Sequence, residues 1–195
     1  MKIKFISDII CPWCYVGKRR LEQALSDLDI ANKVEIEISP YELHPDTWPE
    51  GRSTQGYKDK GEALLVLKEA GQPLGIDFRF DRISKIPNTL IIHGYLMSVE
   101  GVERHQLKDA FLKAYFTQGQ DLTDMLVVKT IIKDCLGRPL EDVSDLALEE
   151  VSATILKNRS LGVRAVPSFV INDEHIISGA IEADRWRQFF SKNIA

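Results

Sequence analysis

The chain reads as an α/β protein in which a block of helices interrupts a small sheet. Three observations predict this. A strand–helix–strand pattern opens the sequence, helical patterns without strands fill its middle, and two strands with a final helix close it. Each element has its own residue-level reason.

Residues 2–7 alternate and are rich in Ile and Phe, the mark of a short strand. Pro12 stands where a helix should begin, because proline suits the first helical position. Leu21, Ala24, Leu25 and Leu28 follow at spacings of three and four, an apolar helical stripe. Val34, Ile36 and Ile38 alternate with Glu35, Glu37 and Ser39 as a second strand. The intervening helix supplies a crossover, so the two strands can lie parallel.

From Pro40 to about Gly56 the prolines and glycines predict a loop. Helical patterns then cover roughly 55–70, 88–100, 103–117, 123–135 and 143–161. Thr123 is the expected N-cap of the fourth, and Gly137 with Pro139 ends it. Residues 168–171 and 175–178 flank Asn172-Asp173-Glu174 as a hairpin. Ile181, Trp186, Phe189 and Phe190 mark a last amphipathic helix after Gly179. This order is a thioredoxin-like arrangement with an all-helical insertion. It predicts one domain from residues 1–50 plus 162–195 and an insertion domain over 51–161.

Composition narrows the function classes. The 195 residues carry 25 basic against 29 acidic side chains, a net charge of -4, so nothing calls for nucleic acid or an anionic membrane. The short basic run Lys18-Arg19-Arg20 is expected to be a solvated helix face. The apolar runs 90–92 and 125–128 fall far short of the roughly 20 residues a spanning helix needs. Ser7 and Asp8 break the apolar run after Lys2 and Lys4, so no secretory signal is expected and the cytoplasm is the expected compartment. Three cysteines, Cys11, Cys14 and Cys135, are too few for a disulfide-stapled fold.

The pair Cys11-Pro12-Trp13-Cys14 could hold zinc, exchange disulfides or simply pack. Zinc needs a second pair of ligands. Cys135, His44, His93, His105 and His175 are scattered, so no metal is expected. Redox chemistry suits the setting better, because the pair follows a strand and opens a helix. Free backbone N–H groups and the helix dipole there stabilise a thiolate at Cys11, the reactive form. Cys14, one turn further in, is placed to resolve a mixed disulfide. Pro12 stiffens the turn, and Trp13 adds an aromatic face beside the sulfur.

A second element supports exchange. Pro167 stands just before an apolar strand, where a cis Val166–Pro167 bond would leave backbone groups free to pair with an extended peptide. Asp8 is a candidate proton relay for Cys14 or a strand-end cap. Asn88 and Thr89 either bind a substrate backbone or glutathione carboxylate, or cap a helix. His93 faces the groove or is a satisfied core histidine. Cys135 reads as a buried core thiol, and Tyr115 and Phe116 as core.

These residues resemble the DsbA-like thioredoxin-fold proteins, in particular the cytoplasmic FrnE-like dithiol oxidoreductase subgroup. The resemblance spans nearly the whole chain. It rests on Ser7-Asp8, Cys11-Pro-Trp-Cys14 with Gly17-Lys18-Arg19, Tyr41-Glu-Leu-His-Pro45, Pro87-Asn-Thr89 with His93, Ala114-Tyr-Phe116 with Gly119, and Gly162-Val-Arg-Ala-Val-Pro167 with Ser178-Gly-Ala180. It implies a helical insertion, a cis proline facing the cysteines, and thiol–disulfide oxidoreductase or isomerase activity. The implied partners are thiol- or disulfide-containing proteins or small molecules. No cofactor is implied beyond glutathione as a redox co-substrate. The related glutathione-dependent transferases and 2-hydroxychromene-2-carboxylate isomerases are the alternative; serine typically replaces their attacking cysteine. This chain departs from the subgroup in a short segment between Pro45 and Asn88, in Gly94 where arginine is expected, and in lacking a further C-terminal cysteine pair.

Overall fold

A computed structural model describes residues 1–54 and 61–194. The first six positions of the helix expected over 55–70 lie outside the described residues. Four strands form one mixed sheet in the order β2-β1-β5-β6. These are β1 (Lys2–Ser7), β2 (Glu35–Pro40), β5 (Ser168–Ile171) and β6 (His175–Ser178). β1 runs parallel to β2 and antiparallel to β5, and β5 pairs antiparallel with β6. The parallel pair is joined through α1 (Pro12–Asp27), as a crossover requires. The hairpin turn works because Asn172 and Asp173 accept left-handed backbone, φ 49 and 60.

Alternation along β1 sends Ile3 and Phe5 to one face and Ile6 to the other. On the first face Phe169 stacks on Phe5 (centroids 5.0 Å apart) and meets Trp186 edge-on at 4.9 Å. Trp186 and Phe190 come from the last helix, α7 (Ala183–Asn193), which packs beside α1.

Between the sheet halves stand α2 (Gly61–Gly71), α3 (Leu90–Met97), α4 (Gly101–Lys113), α5 (Met125–Leu136) and α6 (Asp145–Ser160). A two-residue ladder unforeseen in the sequence, β3 (Arg52–Ser53) with β4 (Lys85–Ile86), lies within the stretch expected as loop and insertion. Such short pairings carry no periodicity to read. α4 runs on into a π turn over Ala114–Gln118, closed by Gly119 at φ 69. The N-cap of α5 is Asp124, whose carboxylate accepts the Leu126 N–H at 2.8 Å, and not Thr123. Thr123 instead donates to Asp121 at 2.7 Å. Gly137 ends α5 at φ 68, as expected.

The insertion shares its apolar core with the start of α1. Ile9, Ile10, Tyr15 and Val16 pack with Phe78, Ile92, Phe111, Tyr115 and Phe116. Cys135 is half-buried against this core. Two polar ties fix the insertion to the sheet. His105 on α4 donates from Nε2 to the Ile36 carbonyl at 2.9 Å, and Asn158 on α6 donates to Ser39 and Pro40 of β2 at 2.8 and 2.9 Å.

Lys18-Arg19-Arg20 is not a solvated face. Lys18 is only 3% exposed and bridges Glu22 and Asp109 of α4, the latter at 2.8 Å. Arg20 reaches the Ala180 carbonyl and Glu182, each at 2.6 Å. The run clamps α1 to both neighbours, because long side chains can bury their stems while their heads find carboxylates.

Candidate active site

β1 ends at Ser7, and the chain turns through Asp8 to Ile10 before α1 begins. Cys11 is the N-cap residue of α1, with extended backbone, and Pro12 takes the first helical position. The Cys11 carbonyl accepts the Cys14 N–H at 3.0 Å, which places the two cysteines on one turn. Both thiols are free and are hydrogen-bond neighbours. Cys11 is 5% exposed and borders a cleft; Cys14 is wholly buried.

The Val166–Pro167 bond is cis. The Cys11 thiol donates to the Val166 carbonyl at 3.5 Å, so this turn lies directly against the first cysteine. Gly17 explains how α1 comes so close. A Cβ there would stand 3.0 Å from Pro167 Cγ and 3.4 Å from Phe169, tighter than ordinary contact. Gly94 does a similar job on α3, where a Cβ would meet Val143 at 2.5 Å. The absence of arginine at that position therefore reflects the close packing of this chain.

The cleft has a volume of about 760 Å³, within the size range of small-ligand sites. Cys11, Pro12 and Trp13 form one wall, and Leu64 and Leu67 of α2 with Ile86 form the other. His44, Arg52 and Ser53 are its polar side chains beside the thiol. None of these second-wall residues was singled out from the sequence, because a wall assembled from distant elements leaves no local motif.

Beneath the cysteines sits a buried polar cluster. Asp8 is fully buried, and its Oδ2 accepts the Leu43 N–H at 2.7 Å. Burial alone would raise its carboxyl, but His93, the Leu43 N–H and Lys108 together hold it below the ordinary value. His93 is buried and donates from Nε2 to the Tyr41 carbonyl at 3.0 Å, with Asp8 Oδ1 3.5 Å from the same nitrogen. A carbonyl only accepts, so Nε2 carries the proton. Burial pushes the His93 pKa down, against the pull of Asp8. His93 is thus a satisfied core histidine that ties α3 to the loop after β2.

Burial also pushes the Cys14 thiol well up, with its Cys11 neighbour adding to the rise and Lys108 opposing it. Lys108 enters from α4 and is the member of the cluster that sequence reasoning missed. Its signal was nonetheless present. It precedes Leu112 by four residues and Tyr115 by seven, so it interrupts an apolar stripe.

Asn88 and Thr89 are not part of the cleft wall. The Asn88 amide donates to the Thr47 carbonyl at 3.0 Å and accepts the Leu90 N–H at 2.9 Å. Thr89 is buried, and its carbonyl accepts the His93 N–H at 2.9 Å. Among the described residues no group of three or more His, Cys, Asp or Glu side chains could hold a metal ion.

The chain matches the model of a known family, the DSBA-like thioredoxin domain, over residues 2–191. The chain belongs to the DSBA-like thioredoxin domain family. It is 26% identical over 195 residues to the uncharacterized protein YwbO of Bacillus subtilis (strain 168), covering 97% of this chain and 95% of that protein. Among solved structures it is similar to a probable DsbA oxidoreductase, SCO1869, from Streptomyces coelicolor. That match has a TM-score of 0.83 at 24% identity, covering 98% of this chain and 89% of the other. It is also similar to the cytosolic disulfide reductase DsbM from Pseudomonas aeruginosa, solved with GSH. Here the TM-score is 0.66 at 14% identity, covering 100% and 99% of the two chains. These two likenesses show a shared fold. No helix among the described residues is long and apolar enough to cross a membrane.

Proposed function

We propose that this DSBA-like chain is a thiol–disulfide oxidoreductase in which Cys11 attacks and Cys14 resolves. The observation that carries this reading is the asymmetry of the pair. Cys11 borders the cleft at the start of α1, whereas Cys14 is sealed one turn below it. In the first step the Cys11 thiolate forms a bond to one sulfur of a substrate disulfide, and the other sulfur leaves as a thiolate. In the second step the Cys14 thiolate attacks Cys11 Sγ, the substrate sulfur departs with the electron pair, and it takes a proton from solvent. The pair ends oxidised and the substrate reduced; the reverse sequence oxidises a dithiol.

Val166 and Pro167 are our candidate docking turn for an extended substrate segment, by strand addition beside Cys11. The apolar cleft favours a substrate whose thiol or disulfide is flanked by apolar groups. Asn88 and Thr89 serve as scaffold in this reading, since the Asn88 amide is occupied within the protein and Thr89 is buried. Glutathione is a candidate redox co-substrate; the Pseudomonas protein solved with it shares the fold. We place the chain in the cytoplasm and in the FrnE-like subgroup on its cysteine usage and on the sequence markers given above. A glutathione-dependent transferase or isomerase would turn over without Cys14.

Trapping tests this directly. Cys14→Ser should accumulate substrate joined to Cys11, visible as a mass increase that reductant removes. Cys11→Ser should trap nothing and exchange no disulfides. Undiminished exchange by Cys11→Ser would refute the proposal.

A further inference from the structure

The wholly buried Lys108 has no hydrogen-bond partner for its Nζ among the described residues. An ammonium in such a place is unfavourable unless a nearby charge compensates it. The charged and titratable groups within electrostatic reach of it are Cys14, Cys11 and Lys18 on α1, Asp8 in the turn before α1, and His93 on α3. Its own helix is pinned in place, because His105 one turn earlier holds the Ile36 carbonyl and Asp109 beside it holds Lys18.

We propose that Lys108 is the charge partner of the Cys14 thiolate, a positioning residue carried into the exchange site by the helical insertion. This rests on the exchange reading given above and deepens it. Asp8 is poorly suited to take the Cys14 proton itself. Its carboxyl is held below the ordinary carboxylate value while burial raises the Cys14 thiol, so transfer from the thiol to the carboxylate would be uphill. Lys108 needs no such transfer while it is protonated. When Cys14 gives up its proton, which the departing substrate thiolate takes up by way of solvent, the ammonium faces the new anion, with Asp8 and Cys11 also attracting it. With burial holding its pKa down to about 8, Lys108 is charged at neutral pH and loses that charge just above it.

The chemistry separates into two observable steps with an aryl disulfide whose thiolate product is coloured. The first equivalent of colour reports attack by Cys11. The second reports resolution, in which Cys14 displaces the aryl thiolate from Cys11. A nearby opposite charge changes a thiolate fraction about 10- to 1000-fold, and the lower nucleophilicity of a more acidic thiolate offsets about half of that on a logarithmic scale. Lys108→Met should therefore slow the second phase about 3- to 30-fold near pH 7 and change the first less than about twofold. The wild-type second phase should rise with pH and level off near 8, whereas that of Lys108→Met should keep rising. A second phase unchanged in rate and pH profile, or equal slowing of both phases, overturns the proposal. Should the methionine variant not fold, Lys108→Arg carries the test. It keeps the charge but does not titrate, so a plateau near 8 that survives in it also overturns the proposal. Wild-type protein that releases no colour would refute the exchange reading itself, a result distinct from failure of the lysine assignment.

Discussion

Replacing Lys108 by methionine should stabilise the protein near neutral pH, by an amount that rising pH removes. Burial takes the Lys108 pKa from 10.5 to about 8. At 1.36 kcal/mol per unit, the charged form is worth about 3 kcal/mol less in the folded protein than in the unfolded chain. The unfolded chain binds the extra proton between about pH 8 and 10.5, so the wild type gains stability as pH rises through that window. Methionine has similar apolar bulk and no charge. Its advantage should be full below about pH 8 and should shrink by about 2 kcal/mol between about pH 8 and 9.5. Urea denaturation of both proteins under reducing conditions measures this. On a Cys14→Ser background, which removes a group that raises the Lys108 pKa, the same window should open at lower pH. An advantage that is the same at both ends of the window would show that Lys108 titrates like an exposed lysine, and the reasoning about its burial would fail.

Three further outcomes are expected. Phe169→Ala empties the space between Phe5 and Trp186 and should lower stability by about 3–5 kcal/mol in chemical denaturation; a loss below about 1 kcal/mol contradicts the packing described. Gly17→Val drives a side chain into Pro167, so it should lower stability by about 1–3 kcal/mol and slow attack by Cys11; normal stability with normal exchange argues against the close approach. Asp8 is held below its ordinary value of 3.8, so its contribution is present above that pH and is lost as pH falls through the folded value. Asp8→Asn should accordingly lose less stability on acidification than the wild type, and parallel acid unfolding curves would refute this.

Much of the architecture was legible because it rests on local periodicity. The alternation of Ile3 and Phe5 against Lys4, the stripe from Leu21 to Leu28, and the turn at Asn172-Asp173 each carry their own signal. The cysteine pair and Pro167 were legible for the same reason, since a helix start and a strand start mark them. What escaped depends on distant elements meeting. The cleft wall from α2 and β4, the β3–β4 ladder, and the clamp made by Lys18 and Arg20 have no local pattern. Thr123 was mistaken for a cap because its neighbour Asp124 is an equally good one, and sequence alone does not choose between adjacent cap residues. Lys108 is the intermediate case. Its place on an apolar stripe was visible, but the cysteine beneath which it lies is 94 residues away in the chain.

The central claim is that Cys11 and Cys14 form a working redox pair. Equilibrating the protein across a glutathione redox series, alkylating the free thiols and reading the oxidised fraction by mass tests it most directly. The account predicts one two-electron transition in which both cysteines are lost to alkylation together while Cys135 stays free. No intramolecular disulfide at any ratio of oxidised to reduced glutathione would contradict it.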